Sequence, residues 1–239
     1  MFFSHITAAQ LHAIPLPLAL SVPIPLHVSS EHVTRGPTGV GVVGHHLNIS
    51  SRDIRIFDGL RVTTLERTVF DLAALLTDEQ LLGALDNVLW WRRPPTARAT
   101  VQTLNDALTR FAGRRGRGRL LEMLPLATDR SDATPETAFR LRFLRAGFPE
   151  PVPNREIYDR YGRFIALADL QFPDYRMAFD YEGDHHRTDK RQWRKDLLRV
   201  PRLQDENWHH TRISGDDLAD DRELLARIRR LLTERGWSG

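Results

Sequence analysis

Residues 163–186 read RFIALADLQFPDYRMAFDYEGDHH. Apolar side chains alternate with others along much of this stretch, and a period of two is the mark of a half-buried strand. Pro173-Asp174 interrupts the run, so its two halves fold back as neighbouring strands. Side chains alternate across a strand, which puts Asp180 and Glu182 on one face and Phe179 and Tyr181 on the other. Asp169 sits eleven positions before Asp180, and the turn brings it beside them. Carboxylates are costly to drive into a core unless they are partnered. Three of them converging at one end of a small sheet therefore demand a partner.

Oxygen-only donor sets suit hard cations, here Mg²⁺ or Mn²⁺. A cation held there polarises a phosphodiester and supplies a hydroxide nucleophile. Without a cation, the cluster repels itself and raises at least one carboxyl pKa. The alternative reading is a solvated sheet face, where charges also discourage edge-to-edge aggregation.

The rest of the chain gives this hairpin its setting. The chain has 239 residues, enough for two small domains. It contains no cysteine, which excludes disulfides, thiolate zinc sites and cysteine nucleophiles and points to the cytoplasm. The apolar start is broken by Pro15, Pro17, Pro23 and Pro25, so it reads as neither a leader nor a membrane span.

Ser4–Ile14 predicts a short helix. IPLHVSS and GVGVVGHHL predict strands, and Asp58-Gly59 between alternating runs predicts a hairpin. TLERTVFDLAALL predicts a helix with a Thr63/Glu66 capping box, and DEQLLGALDNVLWW a helix capped by Asp78. A further helix is expected at about residues 99–111. The second half predicts helix, three strands, helix, strand, helix. Thr134 is expected to cap its first helix and Gly147 to stop it, with Pro201 kinking the later one. The organisation expected is a mixed α/β (α+β) chain: a small α+β domain over 1–93, an Arg-rich helical linker over 94–130, and an αβββαβ domain over 131–239.

Charge is uneven along the chain. Residues 92–130 carry 9 Arg against 3 acids, centred on GRRGRGR, whereas residues 1–91 carry 5 Arg against 8 acids. Arg114, Arg115, Arg117 and Arg119 suit a phosphate backbone; a solvated linker is the competing reading. The paired histidines His45-His46 and His209-His210 read as strand residues with one ring on each face, so neither pair binds one metal together. His186 is a candidate general base or water holder.

The pattern Glu136…Asp169…Asp180-Tyr181-Glu182-Gly183 within αβββαβ resembles the PD-(D/E)XK nuclease superfamily, most of all its very-short-patch-repair-like endonuclease domains. The likeness covers roughly residues 132–239. It implies Mg²⁺-dependent hydrolysis of DNA phosphodiester bonds. It also implies metal binding by Asp169, Asp180 and Glu182, an acid on the first helix at Glu136, and the histidine after the glycine at His186. Asp196 and Arg212 would lie behind the site or on phosphate, with Lys195 and Arg199 facing DNA. Two departures stand out. Asp-x-Glu replaces the commoner Glu-x-Asp or Glu-x-Lys, and Glu182 occupies the motif's lysine position. The chain's two lysines, Lys190 and Lys195, lie on the following helix, and Lys190 is the nearer substitute.

SHITAAQLHAIPLP followed by GLRVTTLERTVFDLAALL resembles the region after the winged helix in AbiE-type abortive-infection antitoxins. An active endonuclease and an inactive nuclease-fold regulator of antitoxin type both remain open, as does a protein without nucleic-acid function. The resemblance leaves room for a homodimer or a cognate protein partner, and none for a membrane.

Overall fold

The computed structural model describes residues 1–21, 25–31, 36–183 and 199–239. The expectations for His186, Lys190, Lys195 and Asp196 lie outside the described residues. The chain forms two compact units, Met1–Asp129 and Arg130–Gly239. Both are mixed α+β, as the residue pattern predicts. Among the described residues, no helix is long and apolar enough to cross a membrane.

The first unit holds strands β1 (Phe2–Phe3), β2 (Leu26–Ser30), β3 (Val42–His46), β4 (Ile54–Phe57) and β5 (Leu60–Thr63) in the order β3-β2-β1-β5-β4. Strand β1 runs antiparallel to β2 and parallel to β5, while β2 and β3 are parallel. The β4–β5 turn places Asp58 at φ 48° and Gly59 at φ 78°, which is the requirement of a type I′ hairpin. Helices α1 (His5–Leu11), α2 (Leu65–Leu72), α3 (Asp78–Leu89), α4 (Val101–Arg110) and α5 (Arg117–Met123) complete the unit. Its core includes Val62, Val69, Leu72, Leu81, Leu82, Leu85 and Val88.

Two helix caps fall one residue from their expected places. Thr64 caps α2 by accepting from Arg67 N. The hydroxyl of Thr63 is buried against that of Thr68 at 2.7 Å, so it is not free to cap. Thr77 caps α3 in a reciprocal box with Gln80, and Asp78 occupies the first turn.

Residues 94–129 are not a linker: they fold within the first unit. Gly116, at φ 91°, caps α5. Arg119 donates to the carbonyls of Ala73 at 2.6 Å and Leu76 at 2.7 Å, and to Asp78 Oδ1 at 2.6 Å. It thereby satisfies carbonyls just past the C-terminus of α2 and binds the α2–α3 turn to α5. Arg117 donates to Leu108 O at 3.0 Å. Two of the four arginines expected on DNA are thus committed to the fold.

The second unit runs α6 (Thr134–Arg145), β6 (Val152–Tyr158), β7 (Phe164–Phe172), β8 (Met177–Glu182), β9 (His209–Ser214), α8 (Gly215–Ala219) and α9 (Arg222–Glu234). A further helix, α7, precedes β9, with its described part at 199–205 and Pro201 inside it. This is the expected αβββαβ order, with the closing helix divided at Asp220-Asp221. Thr134 is the first helical residue rather than the cap, which is Ala133. Gly147, at φ 76°, does stop α6. Its N–H reaches Leu144 O at 3.0 Å, Phe148 N reaches Phe143 O at 3.1 Å, and the two phenyl rings lie 6.0 Å apart. Those contacts make a Schellman motif with its hydrophobic closure.

The sheet order is β6-β7-β8-β9, antiparallel except for the parallel pair β8–β9. Phe139, Phe143, Phe148, Leu170, Phe172, Met177, Phe179 and Ile213 form one core with Leu224, Ile228 and Leu232 of α9. Leu203 packs in a second cluster with Ala178, Ile157 and Ala166. Full burial of each such large side chain is worth about 1.5–3 kcal/mol, so the hairpin that carries the acids is held firmly.

Candidate functional site

The ladder between β7 and β8 pairs Phe172 with Met177, Gln171 with Ala178 and Leu170 with Phe179. The next step of the same register sets Asp169 opposite Asp180, on one face. There the side chains take over from the backbone. Asp180 Oδ1 accepts from Asp169 N at 3.3 Å, and Asp169 Oδ2 accepts from Tyr181 N at 2.7 Å. The two carboxylates end the ladder and stay in mutual contact with its last amides.

Glu136 comes from the first turn of α6. Its Oε2 accepts from Asp132 N at 3.0 Å and Asn154 Nδ2 at 2.8 Å, and the residue is only 6% exposed. Burial, followed by the charge of Asp169, pushes its carboxyl up to about 7. Asp169 rises to about 6, through burial first and then through repulsion from Asp180, although the Tyr181 amide opposes the shift. These two acids hold excess negative potential in a poorly solvated place.

Asp180 behaves in the opposite way. Its Oδ2 accepts from Arg199 of α7 and lies 2.6 Å from His210 Nε2. The parallel register pairs Ala178 with His210 and Asp180 with Arg212, so His210 and Asp180 share a face. Burial raises the Asp180 carboxyl, but the His210 hydrogen bond and the Arg199 charge outweigh it and hold it below its ordinary value. Arg199, expected on DNA, is here a partner of Asp180. His210, expected as a strand residue without a role, belongs to the site. The signal for it lay in the alternation His210-x-Arg212, which shares the face of Asp180-x-Glu182.

Glu182 departs from expectation. It reaches Arg212 Nη1 at 3.4 Å with both side chains more than 40% exposed. A pair of that kind contributes at most about 1 kcal/mol. Among the described residues, Asp169, Asp180 and Glu182 do not bring three ligand atoms within 4.8 Å of one another. Asp169 and Asp180 fit a hard cation by donor type, and the raised carboxyls beside them favour positive charge. Arg199 already supplies part of that charge to Asp180, and His210 lies against the same oxygen.

The first unit contains a different cluster. Among the described residues, His5, His27 and His45 are the one group of three or more His, Asp or Glu side chains whose ligand atoms all lie within 4.8 Å of one another. His45 Nε2 is 3.0 Å from His27 Nδ1, and the rings of His5 and His45 stack at 3.8 Å. Burial holds all three rings below the ordinary imidazole pKa, His5 down to about 3. Sequence reasoning assigned His45 a structural role and passed over His5 and His27, which are 22 residues apart.

No family model matches the chain, and no solved structure matches it. It is similar to two proteins of Mycobacterium tuberculosis, the uncharacterized protein MT2308 of strain CDC 1551 / Oshkosh and the uncharacterized protein Rv2248 of strain H37Rv. Each is 28% identical over 217 residues, covering 90% of this chain and 77% of the relative. At that length the likeness takes in most of both units.

Proposed function

We propose that the second unit is a nuclease-like domain of the PD-(D/E)XK type that hydrolyses DNA phosphodiester bonds with Mg²⁺ or Mn²⁺. The observation that carries this reading is the Asp169–Asp180 pair, set opposite each other where β7 and β8 stop pairing, with the buried acid Glu136 acting on Asp169 electrostatically. Asp169 and Asp180 would hold the cation, which when bound polarises the phosphodiester and lowers the pKa of a water. Glu136, held by Asp132 N and Asn154 and raised by burial, sets the potential at Asp169. Arg199 and His210 fix the orientation of Asp180, and the exposed Arg212 stands on the same face for phosphate. Arg115 is exposed and Arg114 half-buried, so these two carry the proposed non-specific DNA contact of the first unit. A cytoplasmic location and a homodimeric or hetero-oligomeric state belong to the same proposal.

A second reading has its own support. The Asp180 carboxylate is counter-charged by Arg199 and contacted by His210, and Glu182 stands where the motif places lysine. A nuclease fold kept as a DNA-binding or antitoxin-like regulator needs no more than that. Nicking of supercoiled plasmid separates the two. Cutting in Mg²⁺ or Mn²⁺ that stops in EDTA and in Asp169→Asn supports the enzyme. DNA binding without cutting supports the regulator.

A further inference from the structure

We infer that His5, His27 and His45 form a binding site for a divalent transition metal of the zinc type. The three rings come from three elements. His5 opens α1, His27 lies on β2 and His45 on β3. Strand pairing brings them together. β2 and β3 are parallel, with Ser29 opposite His45, so His27 is the diagonal neighbour of His45 on the same face. Ser4 N donates to His27 O at 3.1 Å, and His27 N donates to Thr7 Oγ1 at 2.8 Å. Those two bonds tie both sides of the His27 backbone to the segment that bears His5.

Imidazole nitrogens are borderline ligands that suit zinc and its neighbours. Two nitrogens bound tetrahedrally at about 2.0–2.1 Å lie about 3.4 Å apart. The 3.0 Å between His45 Nε2 and His27 Nδ1 is close to that spacing. A ligand nitrogen of His5 lies within 4.8 Å of both.

The strongest pointer stands behind His5. Its Nδ1 is 2.9 Å from Ser4 Oγ and 4.0 Å from Asp71 Oδ2. Asp71 is 8% exposed, and while its Oδ1 accepts from Arg67 Nε at 2.8 Å, its buried Oδ2 has no hydrogen-bond partner. A metal-bound histidine commonly donates its other N–H to a carboxylate, which fixes the tautomer and strengthens the ligand. With Nδ1 facing Asp71, His5 offers Nε2 to the metal. His5 also sits at φ 49°, a left-handed conformation costing roughly 1 kcal/mol or more in a residue with a side chain. Such strain persists where the surroundings require that residue in that place. His46, next in the strand, points away from the cluster and serves as a control.

The site is independent of the nuclease reading, because it lies in the other unit and uses nitrogen donors. The test uses the full chain, without a histidine tag, stripped with EDTA. Zn²⁺ is titrated against a chromophoric chelator, and Co²⁺ binding is followed by the visible absorption of the four-coordinate ion. One equivalent of Zn²⁺ is expected to bind. His27→Gln and His45→Gln should each weaken it at least about 100-fold, His46→Gln should leave it unchanged, and Asp71→Asn should weaken it about 10–100-fold. Ring ¹⁵N spectra of the parent provide a reading that needs no variant: Zn²⁺ should shift three of the ten imidazoles. Absence of stoichiometric binding, equal binding by the His27→Gln and parent chains, or shifts confined to other histidines would each overturn the inference.

Discussion

The acidic pair of the second unit and the histidine cluster of the first solve the same problem in opposite ways. At the acidic pair, charge is compensated from within: Asp180 is met by Arg199 and touches His210, while Asp169 and Glu136 keep raised carboxyls. In the cluster, Arg67 pairs with Asp71 Oδ1 while, among the described residues, Oδ2 has no hydrogen-bond partner, and three rings crowd together with no carboxylate among the three. A cation at the acidic pair must displace or share the partners of Asp180. A cation entering the cluster replaces the contact between His45 Nε2 and His27 Nδ1. If both proposals hold, the contrast predicts tighter binding of a borderline metal in the first unit than of a hard one in the second.

The largest expected effect breaks the compensation at Asp180. Asp180→Asn should abolish metal-dependent cutting and also lower stability by about 1–3 kcal/mol at pH 7, since it leaves Arg199 without its counter-charge and weakens the contact to His210. The acidic pattern alone suggests the reverse, relief of repulsion among clustered acids. The Arg199 guanidinium decides the sign. Thermal unfolding of the variant in EDTA measures it, and an unchanged or higher Tm would contradict the pairing.

The next effect has the opposite direction. The Glu136 carboxyl is raised from 4.5 to about 7 and that of Asp169 from 3.8 to about 6, so the native state binds more protons than the unfolded state between those values. Stability contributed by this excess is present at low pH and is lost as pH rises through about 6–7. Glu136→Gln keeps the acceptor for Asp132 N and Asn154 and removes the charge. It should raise stability on the order of 1–2 kcal/mol at pH 8 and by little at pH 5. Urea unfolding at both pH values checks this, and a loss of stability at pH 8 would show that the charged form is the favoured one. The depressed carboxyl of Asp180 works the other way, since its contribution is lost only as pH falls below 3.8 toward its lowered native value.

How far the residues announced all this depended on range. The β7–β8 hairpin, the type I′ turn at Asp58-Gly59 and the stop at Gly147 are local, set by alternation and by glycine, and they were legible. Asp169 and Asp180 were legible for the same reason. Glu182 was misplaced because alternation gives a face but not a depth, and β8 ends as the sheet opens to solvent. Arg119 was read as a DNA contact because composition cannot distinguish a solvated guanidinium from one that caps a helix 46 residues away. His5, His27 and His45 were illegible because no sequence period connects them. Only the pairing order β3-β2-β1 does.

The smallest effects separate fold from binding in the arginine-rich segment. Arg119→Ala should cost about 1–2 kcal/mol of stability, since it strips the Ala73 and Leu76 carbonyls and Asp78 of their donor. Arg115→Ala should change stability by no more than about 0.5 kcal/mol but reduce the salt slope of DNA binding by about 0.9 if that side chain contacts one phosphate. Equal effects of the two variants on stability would erase the distinction.

The central claim is that Asp169 and Asp180 together hold a hard cation that cuts DNA. Its most direct measurement is conversion of supercoiled plasmid to nicked circles by the parent and by Asp169→Asn, in Mg²⁺, in Mn²⁺ and in EDTA. The account predicts nicking by the parent in either metal, none in EDTA and none by the variant. A parent that leaves the plasmid intact in both metals, or a variant that cuts as well as the parent, would contradict it.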